Sequence, residues 1–418
     1  MDPREIKALQ IAATMPLRRK SDGWIVPSQS GQGTYRVSPQ RLEWMRADRI
    51  GTYECTCRDF ELRGKPCKHI MAVEFTVKRL VTETGEVISE ELKVTYTQDW
   101  SAYNRGQCEE KERLLPMLAD LCSTVRQPPQ GRGRPRLPMS DMAFEAVSKV
   151  YSGLSARRFD SDVRENAAKG HTAQDPHFNS VLRYLRSPDM TPILRGLVEL
   201  SALPLKGVET DFAADSTGFS TCRFVRWYDH KWGREQSKRE WIKLHVMTGV
   251  RTNIVTAVEI SGWRSHDTNY FRPMVSTTAE NFVLGHVTAD KAYLSHANLD
   301  TVEKFGGVPY VPFKSDNVAY DLDPVAPGPE ASAWVRMFHM FAYQRDTFLA
   351  HYHQRSNVES TFSTIKRKFG DSLRSKSDTG QINEVLCKVI AHNLCVLIAC
   401  IHELGLPAPE FGSRELAS

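Results

Sequence analysis

The sequence predicts a mixed α/β chain whose second half is a β-rich domain. Three observations predict it. From Val208 onward, β-prone runs come first as a set of three and then alternate with helical stretches. Residues 139–206 read as helices, and a basic Pro/Gly-rich linker at 126–138 sets them off from what precedes. Nearer the N-terminus, two pairs of soft ligands sit among hairpin-like strands at the spacing of a metal site.

At 418 residues the chain has room for two or three domains and a sizeable core. The net charge of +5 is too small to establish a nucleic-acid partner, so the placement of the cations has to decide. Nine cysteines, scattered except for one cluster, do not make a disulfide framework in so long a chain and point to a reducing compartment. The opening MDPREIKALQ is charged from residue 2 and lacks the apolar stretch of a signal peptide. The most apolar segment, Leu386–Ile401, is broken by Lys388, His392 and Asn393, and its longest clean run falls short of a membrane span. The expectation is a cytoplasmic protein with no membrane partner.

Residues 24–37, WIVPSQSGQGTYRV, read as a hairpin around a Ser/Gly/Gln turn. After it, Cys55-x-Cys57 and Cys67-x-His69 are separated by nine residues. An extended segment puts i and i+2 on one face, so each pair can offer two ligands to the same ion. Four such ligands suit tetrahedral Zn²⁺ in a closed, structural site, with Gly64 and Pro66 turning the second pair back onto the first. This C-x-C-x9-C-x-H arrangement resembles a SWIM zinc finger, a module associated with DNA or protein binding, and places that domain at 20–80.

Residues 81–125 follow as a hairpin around Thr84-Gly85 and a helix from Ala102 to Val125 with a Leu114, Leu115, Leu118, Leu121 stripe. The linker 126–138 carries four arginines and no acid. Its centre, Arg132-Gly133-Arg134-Pro135, resembles an AT-hook core, whose arginines lie in a narrow A·T-rich minor groove; a plain basic linker fits equally. In 139–206, Ser140 is the expected N-cap of the first helix, and two shorter helices break near Pro188. That region reads as a DNA-binding helical subdomain or as a packing collar for the next domain.

The β-rich domain spans 207–405. VETDFAADSTGFS is its first strand; a Trp/Arg-rich connection leads to two strands around a Gly249 turn. A helix follows the His266-Asp267-Thr268 cap. Then come the strand VLGHVTADKAYL, the helix HANLDTVEKFG, the strand GVPYVPFK and a late helix. This order resembles that of an RNase H-like fold.

Read as a helix at about 100° per residue, Tyr352–Lys366 brings Tyr352, Arg355, Glu359 and Lys366 onto one face. A carboxylate flanked by cations and a phenol suits an acid that holds a metal beside groups that grip phosphate; the bland alternative is a solvated Arg355–Glu359 ion pair. Asp215, in AADSTGF, and Asp290, in VTADKAY, each end an apolar strand. Asp211 shares the strand face of Asp215, and periodicity does not choose between them. Asp267 reads more simply as a helix cap.

The spacing Tyr-x2-Arg-x3-Glu-x6-Lys, with the D-S-T and A-D-K-x-Y settings of the two aspartates, resembles the signature of a large group of insertion-sequence DDE transposases. The resemblance implies that Asp215, Asp290 and Glu359 are catalytic ligands of Mg²⁺ (or Mn²⁺). Arg355 and Lys366 would then hold DNA phosphates, with Lys291 a weaker candidate, and Tyr352 would brace a phosphate or base. Cations in KRKFGDSLRSK would extend the DNA track. The implied function is a transposase that cuts the ends of a mobile element and transfers its 3′-hydroxyl to target DNA. Double-stranded DNA and a second copy of the chain, as a homodimer or higher in a synaptic complex, are the implied partners, and the implied location is the nucleoid. Only residues 315–351 separate Lys314 from Tyr352, too few for the large β-rich insertion that some relatives carry there. A zinc-dependent DNA-binding regulator built on an inactive nuclease fold is the competing reading.

Overall fold

The computed structural model describes residues 17–20, 23–29, 33–39, 53–81, 87–92, 100–133, 135–221, 241–314, 327–328 and 330–412, with a few single positions before them. The chain forms two compact units, Met1–Trp100 and Ser101–Ser418. The Trp/Arg-rich connection at 222–240, the Thr84-Gly85 turn and Arg134 lie outside the described residues.

In the first unit a four-stranded antiparallel sheet runs in the order β1 (Arg18–Lys20), β2 (Gly23–Pro27), β3 (Thr34–Pro39), β4 (Tyr53–Cys55). The expected hairpin is β2–β3, with Trp24 opposite Val37. Alternation in β2 turns Trp24 and Val26 inward, where they join Val37, Ile70, Val73 and the three cysteines in one small core. Two short helices follow, α1 (Arg58–Arg63) and α2 (Lys68–Thr76). Gly64 ends α1 in the left-handed region, at φ 57°, where a side chain would be strained. A separate hairpin pairs β5 (Val77–Val81) with β6 (Val87–Leu92), so its first strand starts four residues before the expected 81.

The second unit begins one residue into α3 (Trp100–Cys108), which α4 (Glu110–Ser123) follows, two helices where the leucine stripe predicts one. Next come α5 (Met139–Ser152), α6 (Ala156–Ala168), α7 (Phe178–Leu185) and α8 (Met190–Ala202). The break at Pro188 is where expected. The N-cap of α5 is Pro138 rather than Ser140, whose hydroxyl instead faces Asp141.

Five strands then make one sheet in the order β9 (Val255–Gly262), β8 (Trp241–Gly249), β7 (Phe212–Ser220), β10 (His286–Ala289), β11 (Val308–Tyr310). The first three pair antiparallel; β10 runs parallel to β7, and β11 to β10. Helix α9 (Thr268–Asn281) follows β9, α10 (His296–Lys304) joins β10 to β11, and α11 (Ala333–Tyr343) and α12 (Arg345–Tyr352) come after the sheet. The predicted strand–helix order is present throughout. Gly249 is required where β8 ends, because a Cβ there would lie 2.4 Å from the Glu209 carboxyl carbon.

Helix α13 (Ser356–Phe369) lies against β7, and the 26-residue α14 (Asp378–Glu403) runs through the core, touching α4, α5, α7, α8, α13, β8 and β9. By length and composition α14 could cross a membrane, yet 72% of its apolar window is buried inside this unit. Two of its buried polar residues are tied into the fold by hydrogen bonds. Asn393 donates to Ser201 and to the Val255 carbonyl and accepts from the Val255 N–H, while Lys388 donates to the carbonyls of Gly370 and Ser372.

Candidate metal and nucleic-acid site

Strand β7 is central, and its first residues Phe212, Ala213 and Ala214 are buried on both faces. Asp215 is the first side chain to come out from under that cover. The parallel register sets Ala214 beside Ala289, so Asp215, within β7, and Asp290, just past the end of β10, lie at the same level, whereas the sequence places both at strand ends. Glu359, in the first turn of α13, approaches from the helix side. One guanidinium ties the arrangement together: Arg355 reaches Asp215 Oδ2 at 2.7 Å and Glu359 Oε1 at 2.8 Å, joining positions 140 residues apart.

Charge explains why that cation is needed. Burial pushes the Asp215 carboxyl above its usual range; the Ser216 N–H, at 2.8 Å, and Arg355 pull it back, while Asp290 and Glu359 push it further up. For Arg355, burial opposes the charge, but Asp215, Tyr352 and Glu359 outweigh it. Glu359 is 61% exposed and Asp215 only 20%, so the cluster opens to solvent on the helix side. Asp290 also accepts from the Lys291 N–H at 2.7 Å and so starts a short 3₁₀ turn.

The four-residue signature is not one helix. Tyr352 ends α12, residues His353–Arg355 form a 3₁₀ turn, and α13 starts at Ser356. The turn still leaves Arg355 over the Tyr352 ring, 5.9 Å from its centroid. Lys366 points at the sheet, donating to Thr217 Oγ1 at 2.5 Å, two residues along β7 from Asp215; burial lowers its pKa. Lys291 is exposed. Further on, Lys368 pairs with Glu110 and Arg374 donates to the Leu154 carbonyl, so part of that basic run packs against the protein. Arg132 is exposed.

The rival aspartates have other partners. Asp211 accepts from the His286 N–H at 3.0 Å and fastens the start of β10 to β7. Asp267 makes no side-chain cap bond to α9. Its carboxylate instead takes Lys243 Nζ at 2.6 Å and the Ser216 hydroxyl at 3.1 Å, beside the buried His245 and Tyr293. Sequence reading misses this group next to Asp215. The available signal is strand parity, which places Lys243 and His245 on one face of β8 opposite Gly218 and Ser216.

In the first unit Cys55, Cys57, Cys67 and His69 are all buried, with ligand atoms within 4.8 Å of one another. No other set of three or more donors among the described residues is so close. Sulfurs of Cys55 and Cys67 lie 3.7 and 3.8 Å from His69 Nδ1, and Tyr35 stacks on the imidazole. Hydrogen bonding from Cys55 brings the Cys67 thiol down to about 4, while the same contact and burial raise Cys55. The direction of the Cys67 shift favours the thiolate, the form that binds zinc. The second pair is not extended. The Cys67 carbonyl accepts from the Met71 N–H at the start of α2 and His69 sits in that helix's first turn, while Cys57 begins α1. Three short elements, not two strands, converge the ligands.

Residues 206–394 match the family described as Transposase DDE domain, and residues 40–78 match the SWIM zinc finger. No curated protein matches the sequence. Among solved structures, the chain is similar to the piggyBac transposase synaptic complex with hairpin DNA, at 12% identity and a TM-score of 0.35, over 72% of this chain and 74% of that one. The three acids fall inside the DDE match and the Cys/His cluster inside the SWIM match. The chain thus carries a SWIM zinc finger, with Cys55, Cys57, Cys67 and His69 as a Zn²⁺ site, ahead of a transposase DDE domain that implies a divalent metal such as Mg²⁺.

Proposed function

We propose that this chain is a DNA transposase that binds the ends of a mobile element in double-stranded DNA, cuts them and joins the freed 3′-hydroxyl to target DNA. The single observation that carries the reading is that Arg355 joins Asp215 on β7 to Glu359 on α13, while Asp290 follows the neighbouring strand β10 at the level of Asp215. A strand order of β9-β8-β7-β10-β11, with β8 alone running against the rest, supports an RNase H-like fold. The three carboxylates are hard oxygen donors of the kind Mg²⁺ or Mn²⁺ takes. Bound there, such ions would supply a nucleophile of lowered pKa and stabilise the leaving oxygen.

The chain's own residues do the rest. Arg355, beside the acids, would hold a phosphate, Lys366 would meet the backbone alongside Thr217, and Tyr352 would brace the nucleotide beside them. Arg132 and Arg134 would add minor-groove contacts from the linker. Bringing two element ends together calls for at least a homodimer at the nucleoid.

The test is Asp290→Asn on a duplex carrying an element end. Loss of Mg²⁺-dependent cleavage with DNA binding retained is expected. Unchanged cleavage would refute the site, and binding without any cutting by the wild type would favour the inactive-nuclease regulator.

A further inference from the structure

We infer that the basic cavity between the α5–α6 turn and the loop after α13 is a docking site for a backbone phosphate of duplex DNA, an inference that rests on the transposase reading. The cavity has a volume of about 470 Å³ and is lined by Lys149, Arg158, Arg186, Arg374 and Lys376, with no acid among its lining residues. Five cations from four segments of the chain surround one open space. Such an arrangement favours an anion in that space.

Lys149 is the most telling member. It is only 8% exposed, in the last turn of α5, and its ammonium has no hydrogen-bond or ion-pair partner among the described residues. Burial lowers its pKa and the Glu384 carboxylate offsets part of that shift, while Arg374 adds to it. Glu384, the acid that acts on it, directs its hydrogen bonds elsewhere: its carboxylate accepts the N–H groups of Arg374, at 3.0 Å, and Ser375, at 2.8 Å. Those bonds hold the loop as one wall, and Arg374 Nη1 donates to the Leu154 carbonyl to tie it to the other.

The second wall is the start of α6. Ser155, also on the lining, is extended and its hydroxyl does not cap the helix, and no acid occupies the first turn. The first N–H groups of a 13-residue helix are therefore left facing the same space, an arrangement that favours phosphate.

Position favours nucleic acid over a free anion. Ser220 at the end of β7 bridges Ser372, two residues before Arg374. Ser220 lies five residues along β7 from Asp215, a rise of roughly 17 Å, with Lys366 on Thr217 in between. Acids, Lys366 and cavity thus succeed one another along β7 over a few nucleotides' length of backbone.

The test is anisotropy of a short labelled duplex titrated with full-length, zinc-loaded protein across a salt series. Lys149→Met keeps the bulk of the buried stem, and the exposed pair Arg186→Ala/Lys376→Ala guards against a folding defect, checked by circular dichroism. Each is expected to bind about 3- to 10-fold more weakly near physiological salt, with a salt slope shallower by about 0.9 for every phosphate the variant no longer engages. Wild-type affinity and slope in both variants would overturn the assignment while leaving the transposase reading intact; a wild type that binds no duplex overturns both. If inorganic phosphate raises the melting temperature of the wild type and not of Lys149→Met, while duplex binding is equal in the two, the cavity takes a free anion and the inference fails.

Discussion

Replacing Arg355 by Gln removes the cation that two of the three acids share. The Asp215 arm dominates: both side chains are about one-fifth exposed and the contact is 2.7 Å. A charge-assisted hydrogen bond in that setting contributes about 1.5–3 kcal/mol. The Glu359 arm is an i,i+4 pair with a 61% exposed acid and adds about 0.3–0.5 kcal/mol. The expected loss is therefore about 2–3 kcal/mol near neutral pH. The stabilisation requires Asp215 to be ionised, and its folded pKa is raised by burial. The cost of Arg355→Gln should accordingly be full above that raised pKa and shrink as the pH falls through it. Urea unfolding of the full chain at several pH values reads this directly. Added Mg²⁺ should recover part of the loss, because a divalent ion supplies the missing positive charge and stabilises by mass action. Arg355→Lys should recover less than half, since an ammonium cannot bridge two carboxylates as a planar fork does. A pH-independent loss under about 0.5 kcal/mol would refute the idea that the acids are coupled through this guanidinium.

Two further outcomes follow from groups outside that cluster. Glu145 is fully buried with Asn166 as its partner, and burial raises its pKa to about 7. A raised carboxyl pKa favours the folded state at low pH and loses that advantage as the pH rises from about 4.5 to 7. Glu145→Gln should thus be near neutral at about pH 5 and stabilising by about 1–3 kcal/mol at about pH 8, measured as paired urea midpoints. In the first unit, Cys57→Ser should reduce zinc content from one equivalent per chain, by elemental analysis, and expose the α2 segment to protease, because three of the four ligands are core residues.

Local chemistry is the legible part of this chain. The zinc ligands lie within fifteen residues, so spacing alone names all four, and the strand and helix order after Val208 follows from periodicity and turn residues. What spacing does not show is how the ligands converge, since Cys57 and Cys67 begin helices that no capping side chain announces. Parity leaves Asp211 and Asp215 equal; only their neighbours across the sheet, the His286 N–H for one and Arg355 for the other, tell them apart. The interruption at His353–Arg355 has no proline or glycine to signal it. Nor does charge along the sequence reveal that Lys368 turns back to Glu110, a partner 258 residues away. Asp267 resembles a cap because His-Asp-Thr precedes a helix; the competing attraction of Lys243 arises only once β8 and β9 are paired.

Helix α14 packs on elements that all precede it in the chain. As the polypeptide is synthesised from its N-terminus, the four helices at 139–202 and the sheet emerge while the apolar surfaces meant for α14 stand open to water. Until Glu403 at its far end is free to dock, the nascent unit has a core with its middle missing, a state prone to aggregate. A message truncated anywhere upstream of that helix would therefore yield no folded second unit, only material for the cell's proteases.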